Sequence, residues 1–394
     1  MRWKAEEAAS SNIVRKPLKR RNQWGGRTHP LDVYGLRRYP YYLIRVMPAE
    51  GTMMRVRQFI AILSVAGLFA LNNPVWAQAN ALPNPTGAEL VVWTYDSFMS
   101  EWGPAGQIAE AFQKAYGIKL RFVSKGDGGA LLSALLDATK RPNADIVIGL
   151  DNRQLKKALQ SGLFVPLSLK NLAEVQKNLL LDPTNRLVPY DFGQFAFMWD
   201  SQSGVEPPRS LEDLTKPLYR KKVIIMDPRT STPGLGFLAW TEAVYKDAWK
   251  DYWRRLAPSI LAMTPSWDTG YGLFTKGEAP LALSYSTDPA YHKAYENTER
   301  YKALPFSDGH PMQIEFAGVL ASSSHRELAQ KFVDFLLSAE CQALLPETQW
   351  MFPANTKAKL PASFSVVSKY PAVNAEIGDI HQDPSDAANI LIGH

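Results

Sequence analysis

Cysteine is almost missing from this chain: Cys341 is the only one in 394 residues. An internal disulfide is therefore excluded, and so is a multi-cysteine zinc site. Histidine is scarce as well. His29, His292, His310, His325, His381 and His394 stand at spacings that match no zinc signature. There is no Gly-x-Ser-x-Gly elbow, no P-loop and no internal repeat. No apolar run reaches the roughly 20 residues that a membrane helix needs. Nucleophilic and metal-dependent catalysis are left with little to work with, so no metal, no cofactor and no enzyme activity are expected.

Acidic charge is also missing from one end. The net charge of +6 suggests a nucleic-acid partner at first sight. Yet residues 1–57 hold 13 Lys+Arg against 4 Asp+Glu, and the other 337 residues hold 31 against 34. The basic excess is thus local, densest at Arg15, Lys16, Lys19, Arg20 and Arg21, and reads as a solvated tail. Arg55 and Arg57 precede the apolar stretch Phe59–Leu71, which is followed by Pro74 and then Ala77-Gln78-Ala79. A positive region, a short apolar core and a small-residue site make a secretory signal peptide cleaved after Ala79. Residues 54–79 are expected to be that signal. Residues 1–53 are expected to be an N-terminal extension from an early start, with Met53 or Met54 as the ordinary beginning. The mature chain, Asn80–His394, has no cysteine beside the cleavage site, so no lipid anchor is expected. A periplasmic protein without nucleic-acid partners fits these features.

Strand-like and helix-like segments alternate in the mature chain. Glu89–Tyr95, Lys119–Val123 and Ala144–Gly149 read as strands. Between and after them, Ala105–Tyr116 (stopped by Gly117), Ala130–Thr139 and Gln154–Gln160 read as helices. Val188–Trp199 reads as one or two buried strands, and Lys222–Met226, Leu281–Tyr285 and Met312–Leu320 as further strands. Helices are expected at Leu235–Tyr245, Ala248–Leu256 and Ser324–Leu337. The stretch Ala329–Cys341 reads as an amphipathic helix with Cys341 as a buried apolar residue. The rhythm predicts an α/β fold of two lobes. The first lobe takes 80–191 and 315–394, and the second takes 192–314. The chain is expected to cross near Asp191–Phe197 and to return near Gln313–Gly318. A cleft between two lobes is a natural small-molecule site.

Two helix starts and a set of aromatics stand out. In the loop Asp227–Gly234, Ser231 or Thr232 can cap the helix, with Pro233 at its first position. Such a start is either plain structure or an anion site made of backbone N–H groups and hydroxyls. The Asp127-Gly128-Gly129 turn offers a second start with a carboxylate. Tyr95, Trp267, Tyr285, Tyr291 and Trp350 lie at strand ends or turns. Each alone reads more readily as core, but several at one cleft would suit a flat cationic ligand.

Ten ordered segments then make a family recognisable: Thr94–Phe98, Trp102–Pro104, Ala144–Asn152, Ser161–Phe164, Pro189–Phe197, Asp227–Gly236, Tyr271–Glu278, Ser284–Thr287, Pro289–His292 and Gln349–Pro353. In these the chain resembles the bacterial periplasmic thiamine-binding proteins, the soluble receptors of thiamine ABC importers. The resemblance implies a type II periplasmic binding protein fold, with thiamine or its mono- and diphosphate bound between the lobes. It implies a receptor that acts as a monomer and delivers its ligand to permease and ATPase subunits. By matching position it implies Tyr95, Trp267 and Tyr291 as stacking residues and Asp127 and Gly128 as the acidic turn. Ser231 and Thr232 match the phosphate side, Tyr285, Ser286, Thr287 and Asp288 a pocket strand end, and Trp350 a late wall. Asp96 and Trp102 rank below these.

The chain departs from that pattern in two places. The family commonly has a small residue where this chain has Asp288, and a carboxylate there predicts a preference for free thiamine over its phosphates. The tail beyond Pro361 lacks the longer Trp-bearing helix usual at the family's end. Two other readings stay open. One is a related receptor for iron or a polyamine, although iron binders of this kind use paired tyrosines where this chain has Tyr285-Ser286. The other is a thiamine-cleaving enzyme of the same fold, which needs a cysteine at the cleft.

Overall fold

The computed structural model describes residues 87–137, 141–373 and 383–393, all within one compact unit, Ala77–His394. The expected extension and signal peptide lie outside the described residues. No helix among the described residues is long and apolar enough to cross a membrane.

The chain opens with β1 (Glu89–Thr94), the single-turn α1 (Asp96–Met99), α2 (Ala105–Tyr116), β2 (Lys119–Ser124), α3 (Gly128–Leu136), β3 (Ile146–Asp151) and α4 (Leu155–Gln160). Helix α2 ends where the sequence places its stop: Gly117 is left-handed at φ 72° and its N–H closes on the Gln113 carbonyl. Helix α3 starts two residues before the expected Ala130, because the Asp127 carboxylate caps it by accepting from the Gly128 N–H at 2.6 Å. It stops at Leu136, short of the expected Thr139.

Next comes β4 (Val188–Asp200), a single strand of 13 residues. It is followed by β5 (Val223–Met226), α5 (Thr232–Tyr245), α6 (Trp249–Leu256), β6 (Ile260–Thr264), α7 (Trp267–Thr275), β7 (Leu281–Tyr285), α8 (Asp288–Tyr295) and β8 (Tyr301–Ala303). The chain closes with β9 (Met312–Val319), α9 (Arg326–Leu336), α10 (Ala339–Gln342), α11 (Leu345–Thr348), β10 (Phe352–Pro353) and α12 (Pro384–Ile392). The expected single helix through Cys341 is thus two. Ser338 interrupts it, because its hydroxyl caps α10 by accepting from the Cys341 N–H at 3.2 Å.

One mixed sheet runs through both lobes in the order β2-β1-β3-β9-β4-β7-β5-β6, with β8 and β10 also paired to β4. Val188–Gln194 of β4 pair with β9, whereas Phe195–Trp199 pair with β7. The two halves feed different cores. Val188 and Tyr190 join Phe98, Phe112, Ile146 and Phe332, while Phe195 and Phe197 join Phe237, Trp240 and Trp253. The strand passes from one core to the other between Gln194 and Phe195. The return comes earlier than Gln313–Gly318, since the whole of β9 pairs with β3 and the first half of β4.

The terminal helix α12 does not go with the first lobe, to which residues 315–394 were assigned. Ala387 is buried in the second core, and Lys250 of α6 holds Asp386 at 2.6 Å. The buried Ala387 shares the second core with Trp249, Tyr252 and Trp253 of α6.

Helix α5 lies against β4 at Gly236, where a Cβ would come within 2.2 Å of the Phe195 ring. Gly236→Ala is expected to lower stability by about 1–3 kcal/mol, as overpacking does. A urea midpoint that falls with an unchanged slope checks it.

Candidate functional site

The strands β1, β5 and β7 point their C-terminal ends at one cleft, where loops and helix starts gather. A cavity of about 220 Å³ lies there. Of the twelve residues singled out in the sequence, eight line it: Tyr95, Asp127, Thr232, Trp267, Tyr285, Asp288, Tyr291 and Trp350. Gly128, Ser231, Ser286 and Thr287 stand just behind the wall and are buried.

Tyr95 follows β1, and its ring rests on Gly149, where a Cβ would lie 2.2 Å from it. Gly149 has φ 102°, a conformation that suits only glycine. The Tyr95 hydroxyl donates to Glu315 Oε2 at 2.7 Å and accepts from the Gln349 amide. Burial, with the Glu315 charge beside it, pushes this phenol well up, so it stays a donor.

Asp127 joins the lobes. One oxygen caps α3, and the other accepts the Trp267 N–H at the start of α7 at 3.1 Å. The Gly129 N–H reaches across to the Thr230 carbonyl at 3.0 Å, and Gly128 leaves no room for a side chain beside the Thr232 hydroxyl. Burial raises the Asp127 carboxyl, while the Ser231 hydroxyl and the two backbone N–H groups act against that rise.

The Trp267 indole donates to Ser284 Oγ at 2.7 Å and stacks on Tyr271, with centroids 5.0 Å apart and planes 15° apart. Trp102 meets Trp267 edge to face at 5.9 Å from the other lobe. Trp102, ranked low in the sequence, thus lines the cavity, whereas Asp96 is exposed and does not. Opposite, Tyr291 and Trp350 meet at 5.4 Å. Trp350 sits at φ 58°, rare for a bulky residue and a form of strain that collects at functional sites. Asp288 opens α8, accepts the Tyr285 N–H at 3.3 Å, and is pushed up to about 7 by burial.

Helix α5 starts at Thr232 with Ser231 as the extended cap residue, so Pro233 is second rather than first in the helix. The Ser231 hydroxyl makes no capping bond, contrary to the capping role given it. The Ser286 and Thr287 hydroxyls are buried without hydrogen-bond partners among the described residues.

Sequence reasoning missed the floor. Gln313 and Glu315 of β9 and Gln349 beside α11 line the cavity, as do Tyr271 and Asp268 of α7. Tyr285 donates to Gln313 at 3.0 Å, and Gln313 donates to Glu315 at 2.8 Å. Tyr190 donates to the Glu315 oxygen already held by Tyr95. Two polar residues at alternate positions of an otherwise apolar strand share one face, and that signal was available. Glu315 is pushed up to about 7 by burial, with the Asp151 and Asp127 charges adding to it. Asp191, paired with it from the neighbouring β4, is pushed well up by burial and by Glu315.

Five carboxyl residues line the cavity, Asp127, Asp268, Asp288, Glu296 and Glu315. No Lys, Arg or His does so among the described residues. The arrangement is aromatic on its walls and acidic at its polar points. Among the described residues no group of three or more His, Cys, Asp or Glu is arranged to hold a metal ion. Cys341 is buried in the first core, away from the cavity, and burial pushes its thiol up, which makes it a poor nucleophile.

Because the raised Asp191 keeps its proton better in the folded protein than in the unfolded chain, the contribution of Asp191 to stability falls as pH rises above about 4. Asp191→Asn is therefore expected to raise the melting temperature of the ligand-free protein by about 2–6 °C near pH 8. The gain should shrink toward about pH 4, where unfolded aspartates hold their protons too. Melting curves at the two pH values check both parts.

Residues 141–376 match a family model described as bacterial extracellular solute-binding protein. The thiamine-binding periplasmic protein of Brucella abortus is 44% identical over 283 residues, 71% of this chain and 84% of that one. Its counterpart in Escherichia coli K12 is 41% identical over 288 residues, 73% of this chain and 86% of that one. A solved periplasmic thiamin binding protein superposes with a TM-score of 0.68 at 39% identity, covering 76% of this chain and 92% of that one. Iron-bound HitA from Pseudomonas aeruginosa, at 22% identity and a TM-score of 0.60 over 77% of this chain and 97% of that one, shares the fold.

Proposed function

The chain belongs to the bacterial extracellular solute-binding protein family, and we propose that within it the chain is the periplasmic thiamine receptor of an ABC importer. The observation that carries this reading is the cavity itself, walled by aromatics and lined by five carboxyl residues without a basic one among the described residues. Thiamine is a flat aminopyrimidine joined to a permanently positive thiazolium. Aromatic faces attract such rings by stacking and by cation–π attraction, more strongly where water is excluded. Trp267, backed by Tyr271, is the stacking platform, with Tyr95, Tyr291 and Trp350 as the facing walls. Asp127 and Glu315 answer the positive charge.

The hydroxyethyl end, or a phosphate on it, points toward the start of α5 at Thr232, with Ser231 behind. Four residues behind the wall, Gly128, Ser231, Ser286 and Thr287, support the site. Tyr285 and Asp288 close it from the β7 side. Asp288 favours free thiamine over its mono- and diphosphate. The protein acts as a monomer, closes around its ligand, and presents it to permease and ATPase subunits. It binds without a cofactor or catalysis. Tyr285 is followed by Ser286, not by a second tyrosine, which argues against iron. A polyamine would need no stacking platform.

Titration of residues 80–394 with thiamine, followed by tryptophan fluorescence, tests the reading. Quenching at micromolar thiamine or below is expected, and neither quenching nor heat at those concentrations would defeat it. Trp267→Ala should weaken binding by about 30-fold or more, as loss of a buried aromatic anchor does. Asp288→Ser should improve thiamine phosphate binding relative to thiamine. Unchanged affinities of both ligands would refute the role given to Asp288.

A further inference from the structure

Beneath the cavity the sheet carries a row of three acids on neighbouring strands. Glu315 on β9 stands in register with Asp151 on β3 and with Asp191 on β4. Residues paired across strands point to the same face, about 4.5–5.5 Å apart at their backbones. Two irregularities create this alignment, one between Ile148 and Leu150 and one between Pro189 and Asp191. The three acids are nearly or wholly buried.

Their surroundings differ. Asp151 has a partner, since the buried Arg153 guanidinium lies 3.7 Å from its Oδ2 and the Arg153 and Gln154 N–H groups donate to its Oδ1. Glu315 is held by Tyr95, Tyr190 and Gln313. Asp191 has no hydrogen-bond partner at either oxygen among the described residues and no contact with solvent. A buried carboxylate in that state is costly, and the cheapest remedy is a proton. Two neighbouring carboxyls cannot both ionise readily in one dry place. The other groups facing the pair cannot take up the charge. Tyr95, Tyr190 and Tyr285 are phenols raised by burial, Asp127 adds negative charge, and Arg153 is engaged by Asp151.

We propose that the neighbouring Glu315 and Asp191 carboxyls hold one proton as a pair in the ligand-free protein and release it to solvent when a cation occupies the cavity, so that the pair selects a cationic ligand over a neutral one. Glu315 is the member that lines the cavity, and Asp191 acts through it as a positioning residue. The incoming positive charge replaces the proton as the partner of the second carboxylate. This rests on the thiamine reading and adds to it the device by which the thiazolium charge is sensed.

Calorimetry on protein purified after expression of the full chain tests the proposal, in two buffers of different ionisation enthalpy. The ligands are thiamine and its neutral half, 4-amino-5-hydroxymethyl-2-methylpyrimidine. At about pH 7 a substantial fraction of one proton should be released per thiamine, and none with the neutral pyrimidine. Thiamine affinity should fall about tenfold between pH 8 and pH 6, one proton competing with one cation. In Glu315→Gln the proton release and the pH dependence should vanish. In Asp191→Asn, whose Glu315 has lost its rival, both should shift to lower pH. Thiamine binding that is equal at both pH values without buffer dependence overturns the proposal in the wild type alone, whatever the variants do. So does equal proton release with the neutral pyrimidine. Loss of the proton in Asp288→Asn with its retention in Glu315→Gln moves it to Asp288 and overturns the assignment. Failure of thiamine to bind at pH 8 would instead defeat the function proposed above.

Discussion

One strand belongs to two cores, and the rest of the molecule is arranged around that constraint. The first half of β4 pairs with β9 and buries Val188 and Tyr190 with the first lobe. The second half pairs with β7 and buries Phe195 and Phe197 with the second. Backbone hydrogen bonds cannot be left open in a buried sheet, so the ladder runs on from lobe to lobe. The cleft therefore has a floor of β-strand, on which Gln313, Glu315 and Asp191 keep fixed neighbours. Its walls come from helix starts, and these can approach one another because each hangs from a separate strand end.

Those helix starts decide the sign of the site. The N-terminus of a helix carries partial positive charge and attracts anions. Here the chain supplies its own. Asp127 caps α3 and also accepts the first N–H of α7, while Asp288 sits in the first turn of α8. With those ends satisfied, the additional carboxyls of Glu315, Glu296 and Asp268 leave the cavity suited to a positive guest. Of α3, α5, α7 and α8, which open at the cavity, only α5 begins without an acidic residue in its first turn or as its cap. The aromatic walls then fix orientation, with Trp267 held by Ser284 and by the face of Tyr271.

Much of this was legible in the chain. The runs Glu89–Thr94 and Leu281–Tyr285 have the length and composition of buried strands, and Gly117 ends α2 where its left-handed φ requires a glycine. Asp127 and the aromatics at strand ends were recognisable because caps and strand ends are local features. The pairing of Glu315 with Asp191 was not, and neither was the place of Gln349. A carboxyl in an apolar strand has no meaning until its partner is known, and the partner is set by register. The split at Ser338 was readable as a cap and was overridden by the amphipathic pattern on both sides of it. The place of α12 depended on a surface of α6 that no neighbouring residue announces.

Local chemistry alone thus established the alternation of strands and helices, the helix end at Gly117, the scarcity of cysteine and histidine, and the supply of aromatics at turns. Folding in three dimensions added the sign of the cavity and the identity of its floor. Charge pairing, burial and cross-strand register depend on residues far apart in the chain. Two bulges, at Gly149 and before Asp191, bring three acids into one row that the linear order conceals.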